Sequence, residues 1–158
     1  MSKELARATL VACRTRGEKI VTAESCTGGM VSAALTAIAG SSDVVERGFV
    51  TYSNEAKMQM LGVRDATLKE FGAVSEDVAA EMAAGALQHA EADIAISITG
   101  IAGPGGSDHK PEGRVCFGLA TSDATITCVV EFGALGRGKV RKKATKFALR
   151  ALKDKTLG

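Results

Sequence analysis

Apolar positions along the chain change period from segment to segment, and each change marks an element. Leu5, Ala8, Leu10, Val11 and Ala12 recur at helical spacing and predict an amphipathic first helix ending near Gly17. Residues 20–23 form a short apolar strand. It runs through the polar turn Glu24-Ser25-Cys26-Thr27-Gly28-Gly29 into a helix over 29–39, and residues 40–43 (GSSD) supply turn chemistry. Residues 44–52 read as a strand, followed by a polar turn and a short helix over 55–61. Gly62 and Gly72 punctuate a further short helical piece. Ser75, followed by Glu76 and Asp77, is an N-cap with an acidic first turn and opens a helix running to His89. Residues 93–99 (DIAISIT) are the best buried-strand segment in the chain. They lead straight into GIAGPGGSDHKPEG, residues 100–113, the longest loop signal. Residues 114–121 and 125–132 predict a hairpin about 122–124, and residues 137–152 a basic closing helix.

The resulting order is α-β-α-β-α-α-β-β-β-α, with no repeat, low-complexity tract or convincing linker. Early strands that alternate with helices favour parallel neighbours, and the late hairpin adds antiparallel pairing. The expectation is a single α/β domain over residues 1–158, with a mixed, mostly parallel sheet between helical layers.

Composition sharpens this picture. In 158 residues, 46% are hydrophobic but only 4% aromatic, so Ala, Val, Ile and Leu must build the core. A net charge of +2 leaves no footprint for nucleic acid. Cys13, Cys26, Cys116 and Cys128 form no CxxC pair, and the charged amino terminus has no signal character, so reduced thiols in a cytoplasmic protein are expected. His89 and His109 are the only histidines, and no clustered Cys/His ligand spacing exists, so no metal and no cofactor is expected. No apolar run reaches membrane-spanning length.

Three strand-end stretches carry the candidate chemistry. In an α/β sheet, the crevice at the carboxyl ends of the strands is the usual ligand site. Thr27-Gly28-Gly29 at a helix start offers free N–H groups and a positive dipole end suited to a phosphate or an oxyanion, although a simple cap and tight turn would look the same. TYSNEAK, residues 51–57, places Ser53 as a cap, with Tyr52 and Lys57 able to reach the same crevice; a solvated lysine and a half-buried tyrosine are the plainer alternative. In Thr99 to Gly106, glycines allow close approach to a ligand and Pro104 stiffens the loop. Together these stretches hold a nucleophile, Ser25, and a base, Lys57. Neither histidine lies in a strand-end motif except His109, deep in the glycine loop, so a Ser-Lys arrangement is favoured over a Ser-His-Asp triad. Cys26 is a rival nucleophile, against the commoner role of a buried structural thiol. The residues by themselves lead to a phosphorylated ligand and acyl-transfer chemistry, and no further.

TAESCTGG (22–29), GFVTYSNEAKMQMLGV (48–63), GAVSEDVAAEMAAGAL (72–87) and SITGIAGPGG (97–106) closely resemble the carboxyl-terminal domain of the competence/damage-inducible protein CinA. The similarity spans nearly the whole chain. Stand-alone members of that family are nicotinamide-nucleotide amidases, which hydrolyse nicotinamide mononucleotide to nicotinic acid mononucleotide and ammonia in pyridine nucleotide recycling. Fused members carry an additional amino-terminal domain, expected to be absent here because the chain begins within the amidase-like region.

The resemblance implies roles. Ser25 would be the nucleophile and Lys57 the base, with Tyr52 assisting. Thr99 and the backbone of Gly100, Ala102 and Gly103 would position the substrate or its developing oxyanion. Glu24 would orient Lys57 or the ribose, and Thr27, Gly28 and Gly29 would contact substrate. The family has a Gly-Asp-Arg run before its last helix and another Arg four residues on. Here Arg137 and Arg141 keep that spacing, for a phosphate role, while Leu135-Gly136 replaces the Gly-Asp. The expected partner is a small mononucleotide substrate, with no nucleic acid and no membrane, in a homo-oligomer. The alternative is a non-catalytic nucleotide-binding or competence/damage-related interaction module that keeps the pocket without turnover.

Overall fold

The computed structural model describes residues 3–107 and 109–158. The readings that touch residues 1 and 2 at the amino terminus and Asp108 in the glycine loop lie outside it. The elements are α1 (Lys3–Thr15), β1 (Ile20–Glu24), α2 (Met30–Thr36), β2 (Val45–Val50), α3 (Asn54–Leu61), α4 (Asp65–Phe71), α5 (Glu76–Gln88), β3 (Ile94–Gly100), β4 (Arg114–Thr121), β5 (Thr125–Glu131) and α6 (Arg137–Asp154), with a 3-10 turn at Ser41–Asp43. Helix α2 is shorter than its sequence pattern because the chain leaves the α conformation before Gly40, whose φ of 82° starts that turn. Strand β2 stops at Val50 because the carbonyls of Thr51 and Tyr52 turn away to a side chain described below.

The five strands run in the order β2-β1-β3-β4-β5. Strands β2, β1 and β3 are parallel neighbours, and β4 is antiparallel to both β3 and β5, so β4 alone runs against the other four. The sheet is therefore mixed and mostly parallel in direction, as the alternation of early strands and helices requires.

Two apolar layers cover it. Ile94, Ile96 and Ile98 of β3, with Val115, Phe117 and Leu119 of β4, face Leu10 of α1, Leu35 of α2, and Val140 and Leu149 of α6. On the other face Val21, Ala23, Ala95 and Ala120 meet Val78, Met82, Ala83 and Ala86 of α5. This second interface is built from small residues so that helix and sheet approach closely. At Gly118 a Cβ would lie 2.5 Å from the Ala79 carbonyl oxygen and 2.6 Å from Ser97 Oγ, which itself donates to that carbonyl at 2.6 Å. Among the described residues no helix is long and apolar enough to cross a membrane.

In register, Glu24 of β1 lies beside Val50 of β2 and Ile98 of β3. The parallel strands thus end together, and the chain segments that follow all leave from one edge.

Candidate active site

At that edge lies an open cleft of about 210 Å³. Ser25 and Cys26 line it from the turn after β1, and Tyr52, Asn54 and Lys57 from the turn after β2 and from α3. Thr99, Gly100 and Ala102 line it from the end of β3, and Arg137 from the start of α6. Ser25 extends β1 by one residue, because its N–H donates to the Ile98 carbonyl at 2.9 Å. That bond fixes the backbone from which the Ser25 hydroxyl projects.

Lys57 is only 1% exposed. Ser53 caps α3 by accepting the Ala56 N–H at 3.0 Å, and Lys57 and Leu61, four residues apart, form the buried face of that helix. The lysine Nζ meets three oxygens: Ser25 Oγ at 3.1 Å, the Thr51 carbonyl at 3.0 Å and the Tyr52 carbonyl at 3.3 Å. Among the described residues it has no carboxylate partner, and burial lowers its pKa below the ordinary lysine value. A neutral amine has two N–H donors and one lone pair. The two carbonyls take the donors and leave the lone pair for the Ser25 hydroxyl proton; as an ammonium, Lys57 donates to all three oxygens instead. The geometry accommodates both charge states: when Lys57 loses a proton, a turn of the Ser25 hydroxyl reverses the direction of their hydrogen bond and nothing else need move.

The turn after β1 is held from two sides. Glu24 is fully buried; its carboxylate accepts from Thr27 Oγ1 at 2.7 Å and from the Val31 and Ser32 N–H groups at 2.9 and 3.0 Å. It therefore anchors the N-terminus of α2, where helix charge favours an anion, and its hydrogen bonds do not go to Lys57. Gly29 is the N-cap, with φ 104°. From the other side Arg141 donates to the Cys26 and Thr27 carbonyls at 3.0 and 3.3 Å. Glu24, Thr27, Gly28, Gly29 and Arg141 thus shape the turn that carries Ser25, and the cleft wall does not include them.

Arg137 donates to the Tyr52 hydroxyl and the Gly103 carbonyl, each at 2.7 Å, and so spans the cleft mouth. The Tyr52 ring is largely exposed and its hydroxyl is bound to Arg137, whereas its main-chain carbonyl is the atom that meets Lys57. Thr99 Oγ1 donates to the Ala73 carbonyl at 2.8 Å, which fixes a wall formed by Ala73 and Val74. Lys110 binds the Phe71 and Val74 carbonyls and secures the same wall. Ala73, Val74 and Asn54 were not legible as cleft residues in the sequence; Asn54 follows the cap Ser53 directly, and that adjacency was the available signal. Burial pushes the Cys26 thiol up to about 12, so it is not a thiolate at neutral pH. Neither His89 nor His109 lines the cleft. Among the described residues no group of three or more His, Cys, Asp or Glu side chains could hold a metal ion.

Comparison with known proteins adds an independent finding. Residues 2–156 match the family model described as the CinA C-terminal domain. The nicotinamide-nucleotide amidohydrolase PncC of Escherichia coli (strain K12) is 56% identical over 142 residues, spanning 89% of this chain and 86% of the relative. The protein of the same name from Enterobacter agglomerans is 50% identical over 139 residues, 87% of this chain and 85% of its own length. A crystal structure of a CinA superfamily protein from Klebsiella pneumoniae superposes with a TM-score of 0.93 at 42% identity, covering 97% of this chain and 96% of the other.

Proposed function

The chain belongs to the CinA C-terminal domain family, and from that premise we propose that it is a nicotinamide-nucleotide amidase, converting nicotinamide mononucleotide and water to nicotinic acid mononucleotide and ammonia. Relatives that bear the amidohydrolase name support the reaction. The observation that supports the mechanism is the buried Lys57 Nζ, 3.1 Å from Ser25 Oγ.

In this reading neutral Lys57 takes the Ser25 proton as Oγ bonds to the carboxamide carbon. The resulting oxyanion needs donors already in place. The N–H group of Cys26, next to Ser25 in the chain and lining the cleft, donates to no backbone carbonyl among the described residues and is the candidate donor. Collapse of the tetrahedral species breaks the C–N bond; Lys57 returns the proton to the departing nitrogen, which leaves as ammonia. Water then attacks the Ser25 ester, giving one proton to Lys57, and the second collapse releases the carboxylic acid, which ionises to solvent, as Oγ recovers the proton from Lys57. In the same reading Arg137, at the cleft mouth, holds the anionic end of the mononucleotide.

Purified protein incubated with nicotinamide mononucleotide should release ammonia and nicotinic acid mononucleotide in equal amounts. Binding of the nucleotide without ammonia release would refute the enzymatic reading and leave a nucleotide-binding module.

A further inference from the structure

We propose that Glu112 is a positioning residue that holds Arg137 across the cleft mouth by tying the loop after β3 to the turn before α6. One carboxylate oxygen accepts the Gly105 N–H at 2.7 Å and the other accepts the Gly136 N–H at 3.0 Å. Gly136 is the N-cap of α6, and Arg137 is the first residue of that helix. The other end of the tether sits two residues from Gly103, whose carbonyl accepts Arg137 at 2.7 Å. Glu112 thus fixes both the backbone that carries Arg137 and the loop that supplies its acceptor. The contact is close: a Cβ at Gly103, where φ is 92°, would lie 2.5 Å from the Glu112 carboxyl carbon. Helix α6 needs this outside anion. It has no acidic residue in its first turn and no side-chain cap, while Arg137 and Lys139 add positive charge at the positive end of the helix. An exposed arginine samples many rotamers, and two fixed acceptors near a fixed Cα are what confine it to one.

Arg137 touches the Tyr52 hydroxyl and the Gly103 carbonyl, and neither Ser25 nor Lys57. Loosening it should therefore weaken substrate capture and spare the chemical step, an inference that rests on nicotinamide mononucleotide being the substrate. Glu112→Gln keeps the shape and one acceptor oxygen but turns an NH₂ group towards one of the two N–H donors. We expect KM for nicotinamide mononucleotide to rise about tenfold with kcat changed less than about twofold, on the scale of a lost charge-assisted hydrogen bond. Arg137→Ala added to Glu112→Gln should raise KM little further than Arg137→Ala alone, because both act through one contact. Independent multiplicative effects, a loss confined to kcat, or unchanged kinetics would each overturn the proposal. The Arg137 Nε–Hε group, followed by NMR relaxation without substrate, gives a readout independent of turnover. It should be ordered in the parent protein and mobile in Glu112→Gln. An equally ordered Arg137 in both would overturn the tether even if the protein did not hydrolyse this nucleotide at all.

Discussion

Lys57→Arg separates a proton-accepting lysine from one that only supplies charge. The substitution keeps a cation on α3 but removes any group able to lose its proton near neutrality. Removing general-base catalysis costs about 10²–10⁴-fold in rate, or about 2.7–5.4 kcal/mol of barrier. The pH dependence carries a second signature. Burial lowers the Lys57 pKa, so between the native value and the unfolded value of about 10.4 the unfolded chain binds more protons than the native one. Stability relative to Lys57→Arg should therefore rise with pH through that window, having been lowest below the native pKa, where a buried ammonium is most penalised. Over the same range kcat/KM of the parent should climb as the amine becomes neutral, with its midpoint below the ordinary lysine range. The assay is ammonia release as a function of pH, paired with thermal melts and with binding of nicotinic acid mononucleotide. Turnover by Lys57→Arg within about threefold of the parent, or the same ascending limb in both proteins, would refute the assignment.

Cys26→Ala should retain turnover within about threefold, because a thiol with a pKa near 12 is only about one part in 10⁵ thiolate at neutral pH; loss of activity in a folded Cys26→Ala protein would reinstate Cys26 as the nucleophile. Gly118→Ala should lower stability by about 1–3 kcal/mol, a fall of roughly 3–10 °C in Tm, by forcing α5 away from β4. A melting curve unchanged by Gly118→Ala would mean that this interface is looser than the Ala79 and Ser97 contacts indicate.

Local pattern carried most of the fold. The alternating isoleucines of β3 and the Ser75 cap of α5 are signals contained within a few residues, and both appear where the pattern puts them. The ends of α2 and β2 were less legible because contacts beyond the segment decide them, in β2 the pull of Lys57 on the Thr51 and Tyr52 carbonyls. In the site, strand-end chemistry pointed to Ser25 and Lys57, and the parallel register brings the two together across a sequence separation of 32 residues. The target of a charged side chain is harder to read. Glu24 adjoins Ser25 in sequence, yet its carboxylate turns under α2; Arg141 reaches the turn carbonyls from more than 110 residues away. Glu112 left no sequence signal, because its two partners are backbone N–H groups of glycines.

The central claim is that the Ser25 hydroxyl attacks the carboxamide, and the most direct measurement is ammonia release from nicotinamide mononucleotide by Ser25→Ala. The side chain is small, nearly buried at 8% exposure, and followed by a turn that Glu24 and Arg141 hold independently, so the variant should fold with an unchanged melting temperature. It should bind nicotinic acid mononucleotide with an affinity close to that of the parent and lose turnover by about 10⁴-fold or more. A folded, ligand-binding Ser25→Ala protein that still releases ammonia within about tenfold of the parent rate would contradict serine catalysis here.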